Sequence, residues 1–315
     1  MVAVSFFSKK APVLVTGGSG LVGRALVEEL RHQGYESVIS LSRRDCDLLD
    51  PESVLKTFAR TKPKLIFHLA ARVFGLGGNG KFKSDVLVEN VRINTNVIEA
   101  ARAAKVEKIV AMGSGCVYPE FPSGEPLLET QVWDGPPHPS EDSYGHSKRL
   151  MLAHLVASRE QYGTNFAYAV SGNIYGQFDN FDPLNGHVTP SLVAKFYEAK
   201  NKGTPVSVWG TGAAVRDFTH SKDAARALVL MMEQTQGVMN LGSGERRSIR
   251  DLVQVLANHT GVDVIWDDSK PDGQLKRVYD LGGLAQLGFL PETSFEDGIR
   301  QTYDWYAENF PNVRR

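Results

Sequence analysis

Short apolar runs alternate with longer stretches of helical periodicity through the first half of the chain. Residues 12–16 (PVLVT) form an apolar, β-branched run, and a helical pattern follows through Leu26 and Leu30. The pairing recurs with a strand at 37–42, a helical pattern over 51–60, a strand at 65–69 and a helical repeat over 85–104 through Val88, Val91, Val97, Ile98 and Ala101. A fourth strand falls at 108–112, a helix at 144–158 and a fifth apolar strand at 166–171. Parallel neighbours need a crossover connection, and a helix between each pair of strands supplies it. The predicted fold class is therefore α/β, a doubly wound parallel sheet of Rossmann-like type. Beyond it, residues 188–200, 223–232 and 249–260 look helical, and short strands fall near Val238 and Val264. This predicts a first domain over 1–172, with a segment of roughly 218–243 returning to it, and a smaller, mainly C-terminal α/β lobe over 173–315.

In sheets of this kind ligands bind at the carboxyl ends of the strands, so the residues there carry the chemistry. The first strand runs into Gly17-Gly18-Ser19-Gly20-Leu21-Val22-Gly23 where a helix starts. Glycines let backbone amides approach an anion, and a helix N-terminus favours negative charge, as a dinucleotide pyrophosphate requires. The spacing is G-x-x-G-x-x-G, the form found in the short-chain dehydrogenase/reductase superfamily. The second strand ends in Arg43-Arg44, at the place where an acidic side chain would grip the ribose of NAD and an arginine the phosphate of NADP. The arginines favour NADP(H), against Asp45 and Asp47 close behind; Asp47 and Leu48 are candidates to frame the adenine. The third strand ends in His68-Leu69-Ala70-Ala71, small residues against which a cofactor can lie, with His68 read as a satisfied core histidine. Met112-Gly113 after the fourth strand and Gly172-Asn173-Ile174 after the fifth complete the predicted cofactor crevice.

The chemistry centres on Tyr144-Gly-His-Ser-Lys148. Positions four apart share one face of a helix, so the Lys148 ammonium can sit beneath the Tyr144 phenol and favour its ionised form. Such a pair alone is a weak signal. Ser114 at the tip of the fourth strand turns it into a Ser/Tyr/Lys set, in which Ser114 and Tyr144 both hydrogen-bond one carbonyl oxygen. Residues 120–143, rich in proline and acidic residues, predict a loop over the site, and 177–187 (QFDNFDPLNGH) a loop able to close over a ligand.

Composition narrows the class. The 315 residues are 42% hydrophobic and 23% charged with a net charge of −1, which gives no hint of a basic surface for nucleic acid. No apolar run approaches the roughly 18 residues of a membrane span, and the piece at 2–7 is too brief for a signal sequence, so a soluble protein is expected. Cys46 and Cys116 cannot form a disulfide framework and lack metal-ligand spacing with the eight histidines; no metal is expected, and a reducing cytoplasm fits.

VTGGSGLVG, HLAARV, GSGCVYP, SYGHSK, DNFDPLNGHVTP, VWGTG with RDF, and KPDGQ carry a resemblance that runs nearly end to end. The chain resembles the extended short-chain dehydrogenase/reductases acting on nucleotide sugars, and among them the enzymes that epimerise GDP-4-keto-6-deoxy-D-mannose at C3 and C5 and reduce it at C4 with NADPH. The resemblance implies that Ser114, Tyr144 and Lys148 serve the reduction, and that Cys116 as base and His187 as acid move the epimerisation protons. It implies substrate contacts from Lys195, Trp209, Arg216, Asp272 and Arg277, and a homodimer. Two departures stand out. Gly115 separates Ser114 from Cys116 where the family often has serine or threonine, a spacer change expected to do little harm. VFGLGGN at 73–79 replaces a more usual VGGI or VGGL near the sugar pocket, which keeps a C4 reductase or epimerase of a related GDP-deoxysugar, such as a GDP-deoxyheptose, as the alternative. A non-enzymatic NADP sensor on the same fold is disfavoured by the presence of both Tyr144 and Lys148.

Overall fold

The computed structural model describes residues 7–73, 80–120, 125–184, 186–270 and 274–315. Its first half runs β1 (Val13–Thr16), α1 (Leu21–His32), β2 (Val38–Leu41), α2 (Pro51–Thr61), β3 (Leu65–His68), α3 (Lys83–Ala103), β4 (Lys108–Met112), α4 (Asp142–Tyr162) and β5 (Phe166–Ser171). Then come β6 (Asn173–Tyr175), α5 (Val188–Lys202), β7 (Val206–Trp209), β8 (Val215–His220), α6 (Ser221–Gln234) and β9 (Gly237–Leu241). The chain ends with β10 (Arg246–Ser248), α7 (Ile249–Thr260), β11 (Val264–Asp267), β12 (Lys276–Arg277), a short α8 (Gly282–Gln286) and α9 (Phe295–Asn309).

Six strands form one parallel sheet in the order β2-β1-β3-β4-β5-β9. β1, β3, β4 and β5 are buried at every position, which is why they read as continuous apolar runs rather than alternating ones. Successive residues point to opposite faces. On one face Leu14, Ile66 and Ile109 pack against Val54 and Phe58 of α2, Val97 and Ile98 of α3, and Met151, Leu152 and Leu155 of α4. On the other, Val13, Val15, Phe67 and Val110 meet Leu26 and Leu30 of α1 and Ala224, Leu228 and Met231 of α6. The chain leaves β1 in one direction to β2 and passes to its other side for β3, so the connections part there and open a crevice at the carboxyl ends.

The smaller lobe has its own core, in which Phe196 of α5, Leu252 and Leu256 of α7, and Ile299, Tyr303 and Tyr306 of α9 pack together. Beside it β8 pairs with β6, β10 and β12, and β7 pairs with β11. The chain returns from this lobe to the large sheet through α6 and β9, whereas residues 218–220 still belong to β8. Neither α9 nor the sheet around β8 is foreseen in the sequence reading; the partners of β8 in that sheet, β6, β10 and β12, are two or three residues long and carry no measurable periodicity.

Buried polar groups tie these layers together. His68 on β3 is 1% exposed, with Nδ1 2.8 Å from Thr16 Oγ1 on β1 and Nε2 3.0 Å from Asn94 Oδ1 on α3. It is the satisfied core histidine expected. Lys108 Nζ, at the start of β4, donates to the carbonyls of Met231 at 3.2 Å and Thr235 at 2.6 Å and so caps the end of α6.

Burial, aided by the Lys148 charge and opposed by the Asn94 hydrogen bond, pushes the His68 imidazole down to about 3 from 6.5. The chief cause at His220 is also burial, which brings it down to about 4. The unfolded chain takes up these protons near pH 6.5 and the native state does not, so stability is fully present above 6.5 and falls as pH drops toward those lower values. Each pH unit inside the window costs about 1.4 kcal/mol per histidine. Denaturant titrations from pH 7 to 4 are expected to show this decline, with a shallower slope in His68→Gln; equal slopes would contradict the assignment.

Candidate active site

The turn after β1 is built so that no side chain fits. Gly17 has φ of +71°, and a Cβ there would lie 2.9 Å from the Ala70 nitrogen. A Cβ on Gly18 would overlap the Ser40 hydroxyl, and one on Gly23 the Gly17 carbonyl. The turn thus packs directly onto the ends of β2 and β3, and α1 begins at Gly20 with no side-chain cap on its first amides. Ser19, Leu21 and Val22 complete the cradle, which fits the phosphates of a dinucleotide. Leu69 and Ala70 close one wall: their amides donate to Thr16 O at 3.2 Å and Thr16 Oγ1 at 3.3 Å, with Ala71 next in line.

On the sequence reading, the choice between NAD and NADP lies at the end of β2. Asp45 Oδ2 accepts from Ser42 N at 2.8 Å and Ser42 Oγ at 2.6 Å, and Asp47 Oδ1 accepts from the Leu49 amide at 3.0 Å. Both acids are spent on their own turns, whereas Arg43 and Arg44 are exposed and suited to a phosphate. Leu48 is held by Asn96 Nδ2, which donates to its carbonyl at 2.9 Å. Two cations that no motif marks flank the cradle. Arg24 Nε donates to Ser19 O at 3.1 Å, and Arg314 Nη1 lies 4.0 Å from where a Gly20 Cβ would be.

Past β4, Ser114 caps a 3-10 turn of Gly115–Val117, its hydroxyl accepting from the Cys116 amide at 3.3 Å. Helix α4 rests on this turn: a Cβ on Gly145 would overlap the Cys116 carbonyl and lie 2.9 Å from Pro137. The approach brings Tyr144 against Cys116 in one small buried cluster with Val86. Lys148 Nζ donates to Met112 O at 2.8 Å, beside Gly113, and lies 5.6 Å from the Tyr144 ring centre, beneath it as the four-residue spacing requires.

Burial, followed by the neighbouring Cys116 and Glu141, pushes the Tyr144 phenol well above its usual range, and burial brings Lys148 down to about 8. Tyr144 thus stands as a protonated donor, ready for a carbonyl oxygen.

Gly115 is also not indifferent. A side chain there would overlap the Tyr279 hydroxyl, and one on Gly172 would come within 2.9 Å of the same ring. Tyr279 follows β12 and is wedged between the two strand ends, at Gly115 after β4 and Gly172 after β5.

The predicted substrate residues fall in two groups. Arg277 is paired in register with Arg216, and its side chain is only 11% exposed. Its Nη2 bonds Glu141 Oε2 at 2.6 Å, its Nε bonds Gln274 Oε1 at 2.9 Å, and its Nη1 lies 4.0 Å from Cys116 Sγ. Arg216 donates to the carbonyls of Val215 at 2.8 Å and Gln274 at 2.6 Å. In the other group Lys195 of α5 lies 5.5 Å over the ring of Trp209, which is 62% exposed. His187, the exposed residue before α5, faces Asp179, a buried carboxylate with one oxygen lacking a hydrogen-bond partner. The structure therefore gathers Ser114, Cys116, Tyr144, Lys148 and Arg277 into one knot and sets His187, Lys195 and Trp209 on the lobe. Asp272 and residues 74–79 lie outside the described residues. Glu141 was missed altogether, because nothing local in SEDSY marks a carboxylate that meets its partner 136 residues later.

A parallel sheet with a glycine cradle at its first turn and a buried Tyr/Lys pair over the fourth strand defines a dinucleotide-dependent enzyme of the short-chain dehydrogenase/reductase class. Residues 13–242 match the model of the NAD dependent epimerase/dehydratase family. The chain is 36% identical to GDP-L-fucose synthase 1 of Arabidopsis thaliana over 98% of its length and 97% of that protein. A GDP-L-fucose synthetase of Naegleria fowleri bound to NADP superposes with a TM-score of 0.91 at 31% identity, over 98% of this chain and 96% of that one. A GDP-mannoheptose C4 reductase of Campylobacter jejuni with NADP bound gives 0.85 at 28% identity, over 95% and 99%. The chain belongs to the NAD dependent epimerase/dehydratase family and, within it, to the GDP-L-fucose synthases.

Hydrogen bonds to charged groups contribute about 1.5–3 kcal/mol. Replacing Arg43 and Arg44 together with alanine is expected to raise the KM for NADPH by about ten- to a hundredfold and leave that for NADH little changed. Steady-state kinetics with both cofactors checks this, and an unchanged NADPH-to-NADH preference would contradict it.

Proposed function

We propose that the protein converts GDP-4-keto-6-deoxy-D-mannose to GDP-L-fucose, inverting C3 and C5 and reducing C4 with NADPH. The observation that carries this reading is the contact of a buried phenol and a buried thiol, Tyr144 and Cys116, at one strand tip. A reduction alone needs the phenol. A thiol packed against it is placed to act on the carbons next to the same carbonyl.

In a 4-keto sugar the C3 and C5 hydrogens are both α to the carbonyl, so one oxyanion site serves the removal of either. Ser114 and Tyr144 donate to that oxygen, where the enolate charge forms. Inversion requires a base on one face and an acid on the other. Cys116 is the base and His187 the acid, delivered from the lobe. When bound, the reduced nicotinamide supplies the hydride for C4. Tyr144 then gives its proton to the carbonyl oxygen, and Lys148, fixed on Met112 O, holds the helix in register beneath it.

Lys195 and Arg216 suit the diphosphate, and the exposed face of Trp209 suits the guanine. Arg277 lies beside Cys116 and thus belongs with the sugar. Nothing in this set of residues calls for a metal, and among the described residues no cluster of His, Cys, Asp or Glu stands ready for one. No described helix is long and apolar enough to cross a membrane. We place the protein in the cytoplasm as a homodimer.

The test is to incubate the protein with GDP-4-keto-6-deoxymannose and NADPH in deuterated water and read the product by NMR. GDP-L-fucose carrying deuterium at C3 and C5 is expected. A C4-reduced product free of solvent deuterium would favour a simple C4 reductase, of the kind that acts on a GDP-deoxyheptose, and would contradict the proposal.

A further inference from the structure

Glu141 stands just before α4, and the motifs that pointed to chemistry do not include it. Its side chain is 16% exposed and is held by Arg277 at 2.6 Å. The same carboxylate acts on the Cys116 thiol and raises it, and the other end of the Arg277 fork lies 4.0 Å from the Cys116 sulfur. A sulfur, a carboxylate and a guanidinium thus form a triangle where protons are to be moved. A guanidinium facing a thiol alone draws out the thiolate. A carboxylate facing it does the reverse, and by pairing with Arg277 it also takes up the charge that would otherwise act on the sulfur.

The remaining groups that bear on this sulfur come from every element around it. Ser114, in the same turn, favours the thiolate. Lys148 of α4 is a cation coupled to it, and Tyr144 of α4 and Tyr279 after β12 are neutral phenols. The carboxylate on this sulfur is Glu141, and it is kept ionised: burial pushes its carboxyl up, but the Arg277 charge and hydrogen bond outweigh that and hold it below its usual range.

We propose that Glu141 is a positioning residue that holds Cys116 as a neutral thiol and thereby sets the pH at which the proton-moving half of the reaction starts. The inference rests on the epimerase reading above for its functional consequence, though not for its effect on the thiol. Burial first, and Glu141 next, push the thiol up to about 12, with Arg277 pulling the other way. For each inversion the S–H proton passes to water, and the thiolate takes the proton from C3 or C5 as the C–H electron pair moves onto the carbonyl oxygen. The His187 N–H proton then goes to the opposite face of that carbon. Cys116 ends as a thiol and His187 regains from water the proton that the thiol gave up. Hydride transfer does not use the thiol, so the two halves of the reaction respond differently to pH.

The experiment titrates the thiolate absorbance of Cys116, taken as the difference between each enzyme and its Cys116→Ser counterpart. In parallel it measures the pH profile of solvent deuterium entry at C3 and C5 of GDP-4-keto-6-deoxymannose. Glu141→Gln removes the opposing charge and frees Arg277, so both profiles are expected to move to lower pH by at least one unit, about tenfold more thiolate at a given pH. Glu141→Asp is expected to keep the wild-type profiles, and Arg277→Met, which tests the other corner of the triangle, to move the thiolate titration to higher pH. A Glu141→Gln profile that stays put or moves to higher pH overturns the proposal, as does an Arg277→Met titration that moves down. If the wild-type enzyme admits no solvent deuterium at any pH, the epimerase reading fails, and the thiolate titrations still decide the role of Glu141.

Discussion

The architecture depends on how closely α4 approaches the tip of β4. At Gly145 the helix lies on the Cys116 carbonyl with no space for a side chain, and one turn on, Lys148 reaches through to the Met112 carbonyl at 2.8 Å. These contacts fix the height and rotation of the helix over the sheet. They bring the Tyr144 phenol beside the Cys116 thiol and draw both out of water, and that burial determines their protonation. A looser helix would leave the same residues in the same order but solvated, with a phenol and thiol of ordinary acidity and no shared oxyanion site.

Burial therefore does chemical as well as structural work at this strand tip. Desolvation keeps Tyr144 and Cys116 protonated and draws Lys148 down to about 8, so the groups rest closer to neutrality than their types suggest. The charge pair inside the knot, Glu141 with Arg277, is short and nearly buried. Pairs of this kind cost desolvation and are weak evidence for stability. Their value here lies in what they do to the sulfur between them.

The large sheet was legible in the sequence because its strands are covered on both faces and so appear as unbroken apolar runs bounded by helices. The positions of the cradle, the arginine pair and Ser114 were legible because each sits at a strand tip, and that of Tyr144 beside Lys148 because a four-residue spacing shares one helix face. What was not legible arises from contacts between distant segments. Glu141 gains its meaning only when β12, two residues long, pairs with β8 and carries Arg277 across to it. Gly115 looked like a spacer until Tyr279 was seen to occupy the room a side chain would need. The four-residue spacing of Tyr144 and Lys148 foretold their proximity but not their charge, since spacing carries no information about desolvation.

The central claim is that one buried donor set serves both halves of the chemistry. It is tested most directly by following Tyr144→Phe with GDP-4-keto-6-deoxymannose in deuterated water, reading deuterium entry at C3 and C5 and NADPH oxidation in the same sample. The structure predicts that both fall together, each by about a hundredfold or more, as for loss of an oxyanion donor. Deuterium entry at the wild-type rate with hydride transfer abolished would show that the enolate is stabilised elsewhere and would contradict it.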